Sequence, residues 1–547
     1  MTSKGKRKMN DDLNGHTFNG QKILISSHSQ PPLSTFMTFN VTSLLFAILP
    51  SNINAWTASP KSRIKPTQTI MPTDDPSNLL PILSHAIPTI QSYSHLDNIV
   101  QGNAEGTRIL ARHSSSISEG EAALNENDTS DLEETELFLK RIDAKAYMHK
   151  SWTDMRRTLV YLRTEVRFYK EFVPLLCDGN DALSGMIPNC HHADYDLQGL
   201  VEDDSSATDV NAPPSVGVDK LQHGLEGKGG HILLQSLSPS HGYYQNSPIS
   251  VQESLLCLRA VAELHASAWG NNSLLTQISD RLSSAGGSYH LRFRNPKELQ
   301  NMVSSWEAFR NNFVGMDETK ILAKESVVRL GMRVFAMAEY VSDQLSPSVD
   351  DEYATLVHGD YKAMVGLKMY SVETTLNYMT NYPHLPLKLQ NVFLPATSND
   401  ECTSENSNTA DEKAIMIDFS CVGIGYGMSD VAMHIVHAVL PADLENGQEE
   451  YLVEQYILAL ENAMTKKSKD MWKFPREVAQ RQYQLACIDY LRFIMGRFWK
   501  SATPESFEKK KNSKNTTLIN RDVKAAMAFI EKVDRNLEVF ENEKMIS

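Results

Sequence analysis

The chain has 547 residues, with 53 Lys plus Arg against 67 Asp plus Glu and a formal net charge of -14. That length excludes a stapled mini-protein. No segment builds the basic stripe that a phosphate backbone requires, so no nucleic-acid partner is expected. Hydrophobic residues at 41% and charged residues at 22% give an ordinary globular balance able to bury a core. The six cysteines show no CxxC spacing, which points away from a zinc site and from a disulfide framework.

Residues 1–85 are rich in Ser, Thr, Asn and Pro and are read as a leader or possible targeting segment, with folding starting near Leu79. The apolar run Val41 to Pro50 (VTSLLFAILP) falls far short of the ~20 residues of a membrane helix, so no integral membrane segment is expected. Its length suits the apolar region of a signal peptide, with Met37 as the start and Asn54-Ala55 before Trp56 as a small-residue cleavage site. Trp56 to Lys65 is basic and free of acids, and resembles the bipartite leaders of algae with complex plastids. Against this, no cationic residue lies between Met37 and the apolar run, and a plain N-terminal tail is the alternative. The location is therefore read as cytoplasmic, or plastid by way of a leader around residues 37–65.

Residues 86–237 read as a mixed β/α unit. It carries polar surface loops over His113 to Glu134 and Glu202 to Gly230. Leu137 to Lys140 (LFLK) and His231 to Leu237 (HILLQSL) are strand candidates. Met155, Leu159, Leu162, Val166, Tyr169 and Val173 recur at steps of three and four, as one face of a helix does. Residues 238–547 read as mainly helical. Ser250 and Glu253 form a capping box, and Leu255, Leu258, Ala262, His265 and Trp269 continue the helix it opens. Pro296 to Leu345 and most of Glu449 to Glu543 are helical in pattern. His265 is read as a packed core histidine rather than a ligand. The basic and aromatic run Asp489 to Lys500 is read as helix packing with snorkelling Arg and Lys rather than nucleic-acid contact.

Two strand-like runs in the second half lead into an acid, Thr355 to Asp360 (TLVHGD) and Ala414 to Asp418 (AIMID), with Asn391 to Pro395 (NVFLP) between them. Asp, Asn and Asp in that order are what phosphoryl transfer from Mg-ATP uses, one acid taking the acceptor proton and the other two residues holding the metal. On HGD, NVFLP, MIDF and the following Val422 to Asp430 (VGIGYGMSD), the chain resembles the kinase-like small-molecule phosphotransferases. That group includes aminoglycoside phosphotransferases, choline kinases and ecdysteroid-kinase-like (CHK kinase-like) proteins.

The resemblance implies an α+β, bilobal protein-kinase-like fold with a small β-rich N-lobe and a larger, mainly helical C-lobe. It implies ATP and Mg2+ as cofactors and a small-molecule hydroxyl acceptor. By it, Asp360 is the catalytic base, His358 supports the catalytic loop, Asn391 and Asp418 bind magnesium, and Asp430 caps the next helix. Lys140 and Glu165 would be the phosphate-binding lysine and the glutamate that holds it. Gly102 and Gly106 (QGNAEGTR) suit either a phosphate-covering hairpin or a plain turn. The strand through Gln235 and Leu237 would read adenine through its backbone. Trp306, Tyr490, Phe493 and Trp499 could line the acceptor pocket or be core aromatics.

One departure stands out. Between HGDYKAM and NVFLP lie the 26 residues Val365 to Gln390, and removing them leaves Tyr361 to Met364 as the only spacer between Asp360 and Asn391, the spacing that the resemblance implies. The segment is read as a retained intron: a Val codon begins GT, a Gln codon can end in AG, and YPHLPL is encoded largely by pyrimidines. If the segment is translated, closing it costs on the order of 3 kcal/mol, which a fold survives. Catalysis tolerates less, because ~1 Å of misplacement costs on the order of a hundredfold in rate. The leading expectation is a small-molecule kinase. The alternatives are an impaired pseudokinase or nucleotide-binding module and, less favoured, a protein kinase, since only 11 residues separate Asp418 from Asp430 and no HRD or APE occurs.

Overall fold

The computed structural model describes residues 79–101, 104–114, 132–201, 224–238, 241–287, 291, 296–362, 392–395, 413–468, 471–513 and 516–546. Most of the leader, Gly102, Asn391 and the 365–390 segment lie outside the described residues.

The first helix, α1 (Leu80–Ala86), follows Leu79, where folding is expected to start, and so begins ahead of the expected leader boundary. It buries Leu79 and Leu83 against one face of an antiparallel sheet, together with Ile109, Ala111, Leu137, Leu139 and Leu233. The sheet has five strands, β1 (Ile90–Gln101), β2 (Ala104–Ser114), β3 (Leu132–Asp143), β4 (Cys190–Asp196) and β5 (Gly229–Gln235), in the order β1-β2-β3-β5-β4. Side chains alternate between faces along a strand, so Phe138 and Lys140 of β3 and Leu234 of β5 stand on the face opposite α1.

Both expected loops are shortened by strand pairing. His113 and Ser114 pair with Glu133 and Leu132, and Arg112 Nε bonds Glu134 Oε1 at 2.7 Å, so the ends of the 113–134 tract are strand. Gly229 and Gly230 likewise open β5. Gly229 sits at φ 141, where an added Cβ would lie 2.0 Å from the Ile142 carbonyl oxygen, so the close approach of β5 to β3 requires glycine.

The helix expected over 155–173 starts earlier and breaks. Ser151 caps α2 (Trp152–Arg167) by accepting the Asp154 N–H, and a wider π turn over Phe168–Phe172 leads into α3 (Val173–Cys177). Pro174 lacks the N–H that an unbroken ladder needs, which accounts for the irregular turn before it.

The rest is mainly helical. The capping box forms as read: Ser250 N–H donates to Glu253 Oε2 at 2.6 Å and Glu253 N–H to Ser250 Oγ at 3.2 Å, opening α4 (Val251–Ala268). Further on come α5 (Met302–Phe313), α6 (Leu330–Gln344), α7 (Met428–Ala438), α8 (Gln448–Ser468), α9 (Arg476–Arg497) and α10 (Val523–Ile546). Short strands thread this body: β6 (Tyr243–Tyr244), β7 (Thr355–Val357), β8 (Val392–Pro395), β9 (Ile415–Met416) and β10 (Gly423–Gly425). β8 lies between β6 and β9, and β10 pairs with β7. No described helix is long and apolar enough to cross a membrane.

Trp306 and Trp499 are core residues. The Trp499 ring stacks on Phe309 at 3.9 Å, and the two indole N–H groups donate to the Val328 carbonyl and to Asn520 Oδ1. Tyr490 is also buried, and Phe493 packs half-buried against the same core. In the 489–500 run Arg492 is buried on Asp489 at 2.6 Å, which is packing rather than a basic surface.

Candidate active site

The face of the sheet away from α1 meets the β8 and β9 region across a cleft. Arg108, Phe138, Lys140, Glu165, Pro188, Leu234, Gln235, Ser236, Leu237, Phe393, Ile417 and Asp418 line it. Register sets the order of groups along the sheet: Gly106 faces Lys140, and Arg108 faces Phe138. Gly106 thus sits in β2 rather than in a turn, and Gln101 pairs with Ala104.

The Lys140 ammonium lies 2.6 Å from Glu165 Oε2 on α2 and 2.7 Å from Asp418 Oδ1 just after β9. Three separate segments therefore meet on one cation. Burial works against the charged lysine, but the Asp418 and Glu165 carboxylates outweigh it and hold its pKa above the ordinary value. Burial alone would raise Asp418 as well, yet Lys140 and then Lys362 keep it below the usual carboxylate range. Glu165 is the more enclosed acid, and burial pushes it up to about 7 against the pull of Lys140. Asp418 has φ 63, a left-handed conformation seldom taken by a residue with a side chain.

Behind Asp418 the Phe419 ring stacks on Phe168 at 4.1 Å, meets Tyr169 edge-on at 5.8 Å and lies 4.8 Å from His358. The π turn after α2 supplies both aromatic partners. Such pairs contribute about 0.5–1.5 kcal/mol each beyond area burial, and here they tie α2, which carries Glu165, to the segment that carries Asp418.

Asp360 follows β7 in a loop fixed from below. The buried Asp430 carboxylate accepts the N–H of His358 at 2.7 Å and of Gly359 at 2.9 Å, and the Nε2–H of His265 at 3.1 Å. This changes the expected role of Asp430: it lies in the first turn of α7, whose N-cap is Gly427, and its carboxylate holds the 358–359 loop instead of capping the helix. His265 is buried as read, but it is a polar link, with Nδ1 accepting from the Tyr456 hydroxyl at 2.8 Å. His358 Nε2–H donates to the Ile417 carbonyl at 3.0 Å, which leaves Nδ1 to accept the Asp360 N–H at 3.4 Å. Gly359 has φ 77, and a Cβ there would lie 2.2 Å from the Cys421 carbonyl oxygen and 2.5 Å from the Gly287 nitrogen.

The Asp360 carboxylate carries Lys362 Nζ at 2.6 Å on Oδ2. Burial opposes the Lys362 charge, but Asp360 outweighs it and raises the pKa. Lys362 escaped the sequence reading, although its place two residues after Asp360 in HGDYK is a usable signal. Arg108 and Phe138 also escaped it, because they are recognisable only once β2 and β3 are paired in register. Among the described residues no three His, Cys, Asp or Glu side chains gather as a metal cage.

The described chain thus joins a five-stranded antiparallel sheet to a mainly helical body, with Lys140, Glu165 and Asp418 brought together where they meet. Among solved structures it is similar to kinases of small molecules. A choline kinase of Streptococcus pneumoniae matches with TM-score 0.31 and 10% identity, covering 84% of this chain and 98% of that one. A microcompartment-associated aminopropanol kinase matches with TM-score 0.34 and 10% identity over 85% and 98%. A Plasmodium vivax ethanolamine kinase matches with TM-score 0.29 and 9% identity over 83% and 85%. No family model and no curated protein matches the chain.

Proposed function

We propose that the chain is a phosphotransferase of the bilobal, protein-kinase-like kind, using ATP and Mg2+ to phosphorylate a hydroxyl of a small metabolite. Residues 86–237 would form the N-lobe and 238–547 the C-lobe. The observation that carries this reading is the ammonium of Lys140 held between Glu165 and Asp418 in a cleft that Phe138, Pro188, Leu234, Leu237, Phe393 and Ile417 make largely apolar. A charge so enclosed, with its partners drawn from β3, α2 and the segment after β9, is suited to receiving phosphate oxygens.

Within this reading Lys140 engages the nucleotide phosphates and Glu165 keeps it aimed. Gly106, opposite Lys140, leaves room for phosphate beside the strand, and Leu237 offers backbone groups to the base, whereas the Gln235 N–H is already donated to the Asn189 carbonyl at 2.8 Å. Asp360 accepts the acceptor's proton at its carboxylate while the Asp360 N–H on His358 fixes its direction. Lys362 supplies countercharge beside it. Magnesium ordinarily binds one or two carboxylates plus substrate phosphates rather than a full protein cage, which the ionised Asp418 suits, with Asn391 as the second protein ligand. When bound, the ion would neutralise phosphate charge.

Replacing Asp360 by Asn tests the assignment. Phosphate transfer, screened over a library of hydroxyl-bearing metabolites, is expected to vanish while ATP binding by calorimetry persists. Retained turnover would refute Asp360 as the base.

A second reading, an impaired pseudokinase or nucleotide-binding module, is favoured by one feature: the 26-residue segment that separates HGDYKAM from NVFLP. Nucleotide binding without transfer, persisting after residues 365–390 are deleted, would select it.

A further inference from the structure

We propose that Arg108 is a base-stacking residue: its guanidinium, anchored by Glu136, lies against the face of a purine in the cleft beside Phe138. The inference rests on the nucleotide reading above and adds how the base is held. Arg108 lies opposite Phe138 in the β2–β3 ladder, and both side chains line the cleft with Lys140. At about 3.4 Å per residue this pair stands roughly 7 Å along the strands from the Gly106 and Lys140 pair, on the side toward Leu234 and Leu237. Phosphates at Lys140 therefore leave the base at the level of Arg108.

The guanidinium is held in advance. Arg108 Nη1 donates to Glu136 Oε1 at 3.2 Å, and the Ser236 hydroxyl donates to the same oxygen at 2.7 Å. Glu136 and Arg108 retain only 13% and 25% of their side-chain exposure, so the pair is partly desolvated. Leu234 stands beside Phe138 on the same sheet face, and Pro188, Leu237, Phe393 and Ile417 complete an apolar lining. A planar cation held over an aromatic ring in such a slot gains from stacking and from cation–π attraction, and both rise with desolvation. A solvent-facing cross-strand ion pair would have neither the apolar lining nor the second bond, from Ser236.

The test titrates the full chain, in the presence of Mg2+, with ATP, CTP and inorganic tripolyphosphate. The wild type is expected to bind ATP more tightly than CTP, because a purine offers the larger face. Arg108→Ala should weaken ATP about tenfold, weaken CTP less, and leave tripolyphosphate unchanged. Arg108→Lys keeps the charge and the Glu136 partner but loses the plane; it should show the same pattern with a smaller loss, and it guards against misfolding of the alanine variant. Equal weakening of all three ligands would make Arg108 a phosphate contact and overturn the proposal, as would unchanged ATP affinity in both variants. A wild-type chain that binds none of the three refutes the nucleotide reading itself, and this inference with it.

Discussion

Asp430 offers the sharpest test of how the Asp360 loop is built. Its carboxylate satisfies three buried donors at once, the N–H groups of His358 and Gly359 and the imidazole N–H of His265. Hydrogen bonds to a charged group contribute about 1.5–3 kcal/mol each, and a buried donor stripped of its acceptor costs about 1–3 kcal/mol. Because the three share one carboxylate, the terms do not add fully, and Asp430→Ala should cost about 4–6 kcal/mol. That is a large part of the ~5–15 kcal/mol by which native proteins are stable. Asp430→Asn keeps one acceptor oxygen but turns an amide N–H toward a donor, so roughly half the loss is expected. Urea unfolding followed by tryptophan fluorescence reads both, since Trp269, Trp306 and Trp499 are buried in the same helical body. The midpoint should fall with the slope unchanged. A loss below ~1 kcal/mol for the alanine variant would refute the reasoning, for the three donors would then have other partners.

Gly359→Ala should be equally revealing on the kinetic side. The left-handed φ and the 2.2 Å approach to the Cys421 carbonyl force the loop to move, and turnover is expected to fall on the order of a hundredfold; near-normal rates would mean that the loop is not clamped there. For Glu165, a folded pKa of about 7 against an ordinary 4.5 means that its stabilising contribution is complete below pH 4.5 and is lost as pH rises through 7. The unfolding free energy of the wild type minus that of Glu165→Gln should thus drop by on the order of 3 kcal/mol between pH 4.5 and 8, and a flat difference would contradict it. Deleting residues 365–390 should leave ATP affinity unchanged and raise turnover, as measured by coupled ADP release. Unchanged turnover would show that the segment is not what limits the site.

Much of this architecture is written locally and much is not. The capping box at Ser250 and Glu253, the apolar face from Met155 to Val166 and the runs before Asp360 and Asp418 are short-range patterns, and each became the element that it suggested. Lys140 and Glu165 were legible through order along the chain, 25 positions apart, but their meeting with Asp418 depends on a contact 278 positions long. Propensity carries no record of such distances. Arg108 and Phe138 became neighbours only through the β2–β3 register, which a one-residue slip would send to the opposite face. The break in the helix at 168–172 was missed because apolar spacing continues through it, while Pro174 acts on the backbone alone. Asp430 was seen as an acid beside a helix start. That it turns back to the 358–359 loop follows from β10 pairing with β7, which brings the start of α7 beside that loop.

The described residues that flank positions 363–391 are fastened on both sides. On one side Gly359 is wedged against Cys421 and Gly287 above the Asp430 carboxylate; on the other, Val392 pairs with Met416. Each of these contacts is made to residues outside positions 363–391. A melting curve therefore reports on these contacts. Two chains that differ by all 26 residues of that span can share a core, express alike and unfold together while differing wholly in chemistry, so selection or screening for foldedness alone is blind to the segment most able to silence the site.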